Sequence, residues 1–362
     1  MKLKKKRKIN MKYNIKRKQC FFHHFIGLIV ISVLLIPTIL SAREINLRTI
    51  TDMAGRKVII KGAVNKIVTT FKPSTLCILS LGLHHKLVGV DSSSKRDKLS
   101  LAVFPDIVDV TAIGSKSMGI NFETLVSLKP DLVILYSQKD GLVLAERLHS
   151  TGIPSIVILP ETFDSIKKSI LLIANAAGES EKAESIVHQM DAVTNLLKKR
   201  LTGLSTAEKK SGYFASSRGL FSTTTKDMLQ DEIFNKAGIR NVSHDLSGYF
   251  QDISPEQLIK WNPDIMVFSQ HMKQSEIKRL DNKALRRITA VSQKDVYQCP
   301  STLAPWDFPS PMSLLASLWL ACKVYPERFS GIDFAKKADE FHFKLFGKTL
   351  TRMGGKIDGM VY

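Results

Sequence analysis

Two periods alternate along this chain. Short apolar runs at Lys66–Phe71, Leu87–Val90, Asp131–Tyr136 and Ser155–Leu159 predict buried strands. Between them, amphipathic stretches at Pro73–Leu83, Phe122–Leu128 and Gly141–Ser150 predict helices, and Thr49–Ile60 predicts a hairpin turning at Ala54-Gly55. From Phe163 to Arg200 no strand signal occurs. After a break at Asn175–Gly178, Glu181–Leu201 reads as one long helix, with Ala183, Ile186, Val187, Met190, Val193, Leu197 and Leu201 on one face. At 1.5 Å per residue it is about 30 Å long. Alternation resumes at Gly212–Ala215 and continues through Asp264–Phe268 to Asp295–Gln298. The tail, Pro311–Tyr325 and Phe334–Phe346, reads as helical. Strand–helix alternation of this kind implies largely parallel sheets with helices on both faces.

One phrase occurs twice. Asn121–Leu135 reads NFETLVSLKPDLVIL and Ser254–Phe268 reads SPEQLIKWNPDIMVF, 133 residues apart. Glu123 and Glu256 each precede a proline by seven residues, and each proline is followed by an aspartate and an apolar run. Identical spacing predicts two related lobes. The layout is then an N-terminal α/β lobe over 43–180, a linking helix over 181–204, and a C-terminal α/β lobe over 205–362. In open α/β sheets, ligands bind beyond the carboxyl ends of the strands. Two lobes side by side would put those ends around a shared cleft.

Charge changes the picture less than it first suggests. The formal charge is +20, but ten of the 53 Lys and Arg residues lie within residues 1–42, where there is no acidic residue. The remainder, about +10, is scattered without a basic–aromatic array, which argues against nucleic acid as a partner. The basic start is followed by the apolar run Phe21–Leu40 and the small residues Ser41-Ala42. This is the pattern of a signal peptide over residues 1–42; a retained membrane anchor and a start at Met11 stay open. Cys20 precedes the apolar run, where a lipidated cysteine would follow it, so the expectation is a soluble periplasmic monomer. Cys77, Cys299 and Cys322 remain after cleavage. None lies in a CxxC pair; the reading favours buried free thiols, with a Cys299–Cys322 bridge as the alternative.

TDMAGRKVIIKGAVNKIV (Thr51–Val68), LVGVD (Leu87–Asp91), the two repeated phrases, and PWDFPSPMSLLASLWLACKVYPERF (Pro305–Phe329) run in one order along nearly the whole mature chain. In this the chain resembles the substrate-binding proteins of ABC importers for iron–siderophores, haem and cobalamin. The resemblance implies two Rossmann-like α/β lobes with mostly parallel sheets, joined by one long helix around a ligand cleft. It also implies that Glu123 and Glu256, one exposed on each lobe, dock on arginines of an ABC permease dimer in the inner membrane. Arg–carboxylate pairing would give such docking its orientation. The alternative is that each is an ordinary first-turn acid favoured by the helix dipole.

Loops after the strands supply the binding candidates: Thr70 and Phe71, Ser137 and Gln138, Ser217 and Arg218, and Gln270 and His271. Tyr249 precedes the second phrase, and Trp306 and Asp307 lie in a proline-rich loop. Aromatic groups would line the cleft and Arg218 would pair with an acidic ligand. No metal-ligand set assembles: His84-His85 sits at a helix end, and His271 stands alone. That favours a metal chelate over a bare ion, and the resemblance implies a ferric siderophore first. Haem, cobalamin and molybdate or tungstate are the alternatives. No cofactor is expected. No GxxxxGK[ST], GxSxG, HExxH or GxGxxG motif supports an enzyme. A chelatase-like enzyme, with His271 and Asp307 as its only loose candidates, and an exported sensor domain remain the readings from other classes.

Overall fold

The chain enters through a hairpin, β1 (Leu47–Thr51) and β2 (Lys57–Lys61), paired antiparallel. Its turn needs a left-handed residue, which Gly55 supplies at φ 79°. The Asp52 carboxylate organises the turn. It accepts from the amides of Ala54 and Arg56, and from the Arg56 guanidinium at 2.9 and 2.6 Å. It also accepts from the amide of Val157 at 3.0 Å, which ties the hairpin to the sheet behind it. These relations come from a computed structural model in which residues 47–115, 119–137, 141–357, 359 and 361 are described.

The first lobe holds β3 (Ile67–Thr69), β4 (Leu87–Val90), β5 (Thr111–Ala112), a small ribbon of β6 (Gly114–Ser115) and β7 (Gly119–Ile120), β8 (Leu132–Tyr136) and β9 (Ser155–Ile158). Its sheet has the order β5-β4-β3-β8-β9 and is parallel throughout. Helices α1 (Lys72–Ser80), α2 (Lys98–Val103), α3 (Phe122–Ser127) and α4 (Gly141–Ser150) join the strands. A sheet covered on both faces demands unbroken apolar strands, and all of β8 is buried.

Helix α5 (Phe163–Ala177) starts in a capping box, with the Thr162 hydroxyl accepting from the Ser165 amide, and stops at Gly178, φ 80°. Helix α6 (Glu181–Arg200) follows, with Ala183, Ile186, Met190 and Leu197 buried along one face. The second lobe contains β10 (Ser211–Ala215), β11 (Ser222–Thr224), α7 (Leu229–Lys236), β12 (Arg240–Asn241), β13 (Phe250–Asp252), α8 (Pro255–Trp261), β14 (Ile265–Phe268) and β15 (Val296–Gln298). Its centre is parallel, with β10 between β14 and β12. Its edge, β11 with β13, is antiparallel. The tail forms α9 (Ser313–Val324) and α10 (Phe334–Phe346).

The protein is thus an α/β molecule of two lobes joined by a long helix, as the alternation predicts. The tail helices add something the pattern did not foretell. Every residue of α9 from Ser313 to Ala321 is buried, the mark of a helix enclosed on all sides. One continuous apolar cluster joins Ile67 and Ile134 of the first lobe, Ile186 and Met190 of α6, Phe214 and Phe234 of the second lobe, and Leu314 and Leu345 of the tail. Burial of each such side chain stabilises by about 1.5–3 kcal/mol, so the lobes share much of their stabilisation. Cys77 and Cys299 are buried, Cys322 is partly so, and all three are free thiols. Burial pushes the Cys77 thiol up to about 12.

The repeated phrase folds the same way twice. Asn121 caps α3 by accepting from the Thr124 amide at 2.9 Å, and Ser254 caps α8 by accepting from the Gln257 amide at 3.1 Å. Each helix is followed by a left-handed residue, Lys129 at φ 50° and Asn262 at φ 42°. The Pro-Asp pair then turns the chain into a strand. The Asp131 carboxylate takes the amides of Asn65 and Lys66, each at 2.9 Å, just ahead of β3. The Asp264 carboxylate takes the amide and hydroxyl of Ser211, each at 2.7 Å, at the start of β10. In both lobes the aspartate staples its own strand to the parallel strand beside it.

Candidate functional site

The carboxyl ends of β3, β8, β10 and β14 lead into the loops that carry most of the sequence candidates. Phe71 is the N-cap of α1 and lies partly buried. Its ring centre is 4.6 Å from that of Tyr136, at the end of β8, and 6.1 Å from that of Phe308, in the second lobe's proline-rich loop. Next to Phe71, Lys72 opens α1. Its Nζ stands 3.6 Å from Asp97 Oδ1 and 5.0 Å from the centre of the Phe308 ring. Aromatic and charged groups from the two lobes therefore meet between the strand ends.

Thr70 is spent on structure, since its amide and hydroxyl both donate to the Ile134 carbonyl at 3.2 Å. The Ser137 amide donates to the Ile158 carbonyl at 2.9 Å, leaving its hydroxyl on a half-buried rim. Gln138 lies outside the described residues. Ser217 and Arg218 are exposed in the loop after β10, and the Arg218 guanidinium lies 4.3 Å from the centre of the Phe250 ring. Tyr249 is exposed beside Phe250 at the antiparallel edge.

His271 follows β14 and remains exposed. Surrounding chain pushes its imidazole below the usual range. The charge of Lys72, from the opposite lobe, adds to this, and Asp307 and Asp97 act against it. Gln270 anchors the same turn: its carbonyl accepts from Gln298 Nε2 at 2.9 Å, while its own Oε1 is buried without a partner.

Trp306 needs correction as a cleft residue. It is fully buried, with ring centres 5.8 Å from Phe334 and 6.1 Å from His342, and offers a ligand no surface. The loop's register turns the tryptophan into the core and leaves Phe308, two residues on, at the lobe junction. Asp307 is also beneath the surface, at 3 % exposure. Burial pushes its carboxyl up, against hydrogen bonds from Ser269 and from main-chain amides and against the charge of His271. From beneath the surface its charge acts on the His271 imidazole. Sequence reasoning missed Lys72, Tyr136, Asp97 and Phe308. Adjacency could have found three of them: Lys72 follows Phe71, Tyr136 precedes Ser137, and Phe308 follows Asp307.

Glu123 and Glu256 are exposed in the first turns of α3 and α8. Among the described residues neither forms an ion pair, and nowhere do three His, Cys, Asp or Glu side chains gather in a form that could hold a metal ion.

Comparison with known proteins agrees with this architecture. The molybdate-binding protein MolA of Haemophilus influenzae is 25 % identical over 323 residues, covering 83 % of this chain and 91 % of MolA. The substrate-binding lipoprotein YvrC of Bacillus subtilis, an uncharacterised ABC transporter component, is 28 % identical over 285 residues, 78 % of this chain and 86 % of YvrC. The Fe(3+)-citrate-binding protein YfmC of the same organism is 25 % identical over 252 residues, 69 % and 77 %. The solved structure of MolA bound to molybdate superposes with a TM-score of 0.74 at 24 % identity, over 83 % of this chain and 98 % of that one. Residues 67–303 match the family described as periplasmic binding protein. With the strands from Ile67 to Gln298 and the long helix among them inside that match, the chain belongs to the periplasmic binding protein family.

Proposed function

We propose that this protein is an exported solute-binding protein that captures a metal chelate, of the ferric siderophore type, and delivers it to an ABC permease dimer. The observation that carries the reading is the meeting of Phe71 and Lys72 of one lobe with Phe308 and His271 of the other, at the strand ends. Such a place offers apolar contact area with a few charged groups, the composition of a small-molecule site. The name of YfmC, an Fe(3+)-citrate-binding protein, supports a chelate. Export is proposed from the basic-then-apolar start of the chain, which lies outside the described residues.

Glu123 and Glu256 are the proposed docking carboxylates. Each is exposed, and the hydrogen bonds that hold the two phrases in shape do not use them. Removing both charges is expected to block transport while ligand affinity stays intact.

Titration of the mature protein with ferric chelates, haem, cobalamin and molybdate, followed by tryptophan fluorescence, tests the ligand class. Saturable binding of a ferric chelate supports the reading. A response to haem or cobalamin alone would overturn it. Molybdate is the second reading, favoured by the match to MolA, and a response to molybdate alone would establish it.

A further inference from the structure

An ammonium sits nearly buried where the lobes meet. The Lys72 side chain is 12 % exposed and that of its partner Asp97 is 4 % exposed. Their separation, 3.6 Å, is long for a charge-assisted hydrogen bond, which spans about 2.7–2.9 Å. Asp97 is not free to come closer. Its other oxygen, Oδ2, accepts from the Ser100 amide at 3.0 Å and the Ser100 hydroxyl at 3.1 Å, and so caps α2. Across the junction, the Phe308 ring covers the ammonium at 5.0 Å and faces Phe71 at 6.1 Å.

A charge withdrawn from water needs full compensation. Among the described residues it has a carboxylate held at arm's length and one aromatic face, which together replace only part of its hydration. An anionic group entering between Nζ and Phe308 would convert this loose arrangement into a direct ion pair. The displaced ring, with Phe71 and Tyr136, would then lie against the body of the ligand. Asp97, the carboxylate beside Nζ, opposes a small, concentrated dianion, whereas a chelate spreads its charge over a larger volume. A cationic chelate would meet Lys72 as a like charge.

We propose that Lys72 is the ligand-selecting charge of the cleft and Phe308 the ring that covers it when the cleft is empty. The ligand is accordingly an anionic metal chelate with flat or aromatic faces. This rests on the solute-binding reading and narrows it.

The test uses the mature protein and its Lys72→Met, Lys72→Arg and Phe308→Ala variants, titrated calorimetrically. The probes are a ferric tris(catecholate) anion, ferric citrate, cationic ferrioxamine B and molybdate. Wild type is expected to prefer the two anionic chelates. Lys72→Met should weaken both by roughly 30-fold or more, the scale of losing one partner of a buried charge pair. Lys72→Arg should stay within about threefold, and Phe308→Ala should weaken the catecholate complex more than the citrate. Unchanged affinity in a folded Lys72→Met overturns the lysine assignment and leaves the solute-binding reading standing. If Lys72→Met does not fold, equal affinities of Phe308→Ala and wild type for both anionic chelates overturn the proposal instead. Preference for ferrioxamine B or molybdate overturns the ligand class. Failure of wild type to bind any ferric chelate overturns the chelate reading and the narrowing with it.

Discussion

Asp131 holds two main-chain amides ahead of β3, while Asp264 holds one amide and one hydroxyl, both from Ser211, at the start of β10. The helix before each is capped by a different residue, Asn121 in the first lobe and Ser254 in the second. The left-handed position is Lys129 in one and Asn262 in the other. The two lobes share the proline and the stapling aspartate, and vary the cap, the left-handed residue and the groups the aspartate holds. The repeated glutamate is shared as well. It keeps its identity in both copies, yet beyond favouring the positive end of a short helix it takes no part in the staple. A residue kept without a share in holding the shape is the one to suspect of meeting a partner.

The largest effect is expected from reversing both glutamates, Glu123→Lys with Glu256→Lys. Uptake in cells should fall to background while chelate affinity and thermal midpoint stay within error of wild type. Normal uptake would return both residues to ordinary first-turn acids. Removing the staples should act on stability instead. Hydrogen bonds to a charged group contribute about 1.5–3 kcal/mol each, less where solvent competes. Asp264→Ala, whose bonds are partly buried, should cost about 3 kcal/mol in urea unfolding. Asp131→Ala, whose bonds are exposed, should cost about 1–2 kcal/mol. Equal losses would deny the difference in burial.

Acid should sharpen the same contrast. Burial pushes the Asp264 carboxyl up, but the Ser211 hydrogen bonds, with Lys210 and Arg240 nearby, outweigh it and leave the group below its ordinary range. A folded-state value below the unfolded one, about 3.9, stabilises the protein above that pH and ceases to as pH falls through the folded value. Wild type should therefore lose stability more steeply than Asp264→Asn between about pH 4 and pH 3. Parallel acid limbs would contradict this. The smallest effect concerns the left-handed residue. Lysine there is strained, so Lys129→Gly should gain roughly 0.5–1 kcal/mol. Asn262→Gly should lose about 1 kcal/mol, because Asn262 Oδ1 also accepts from the Thr289 amide at 2.8 Å. Gains at both sites would show that the asparagine side chain contributes nothing.

Helix α6 and strands β8 and β14 could be read from the chain because their cause is local. A 3.6-residue stripe or an unbroken apolar run needs a buried face whatever the fold around it. The repeat, too, was legible, since cap, left-handed residue, proline and aspartate act within a dozen or so neighbours. The antiparallel edge of β11 and β13 was not, because short strands take their direction from the strand they pair with.

The cleft divides the same way. Strand-end loops pointed to Phe71 and His271, but nothing local distinguishes Trp306 from Phe308. Both are aromatic residues in one proline-rich loop, and only packing against Phe334 and His342 sends the first inward. Lys72 carries no local signal, and only the second lobe, through Phe308, gives it its surroundings. Burial and charge environment are sums over neighbours distant in the chain. The local pattern could therefore name the two lobes and their outward glutamates, while the groups that meet between them were decided by how the lobes pack.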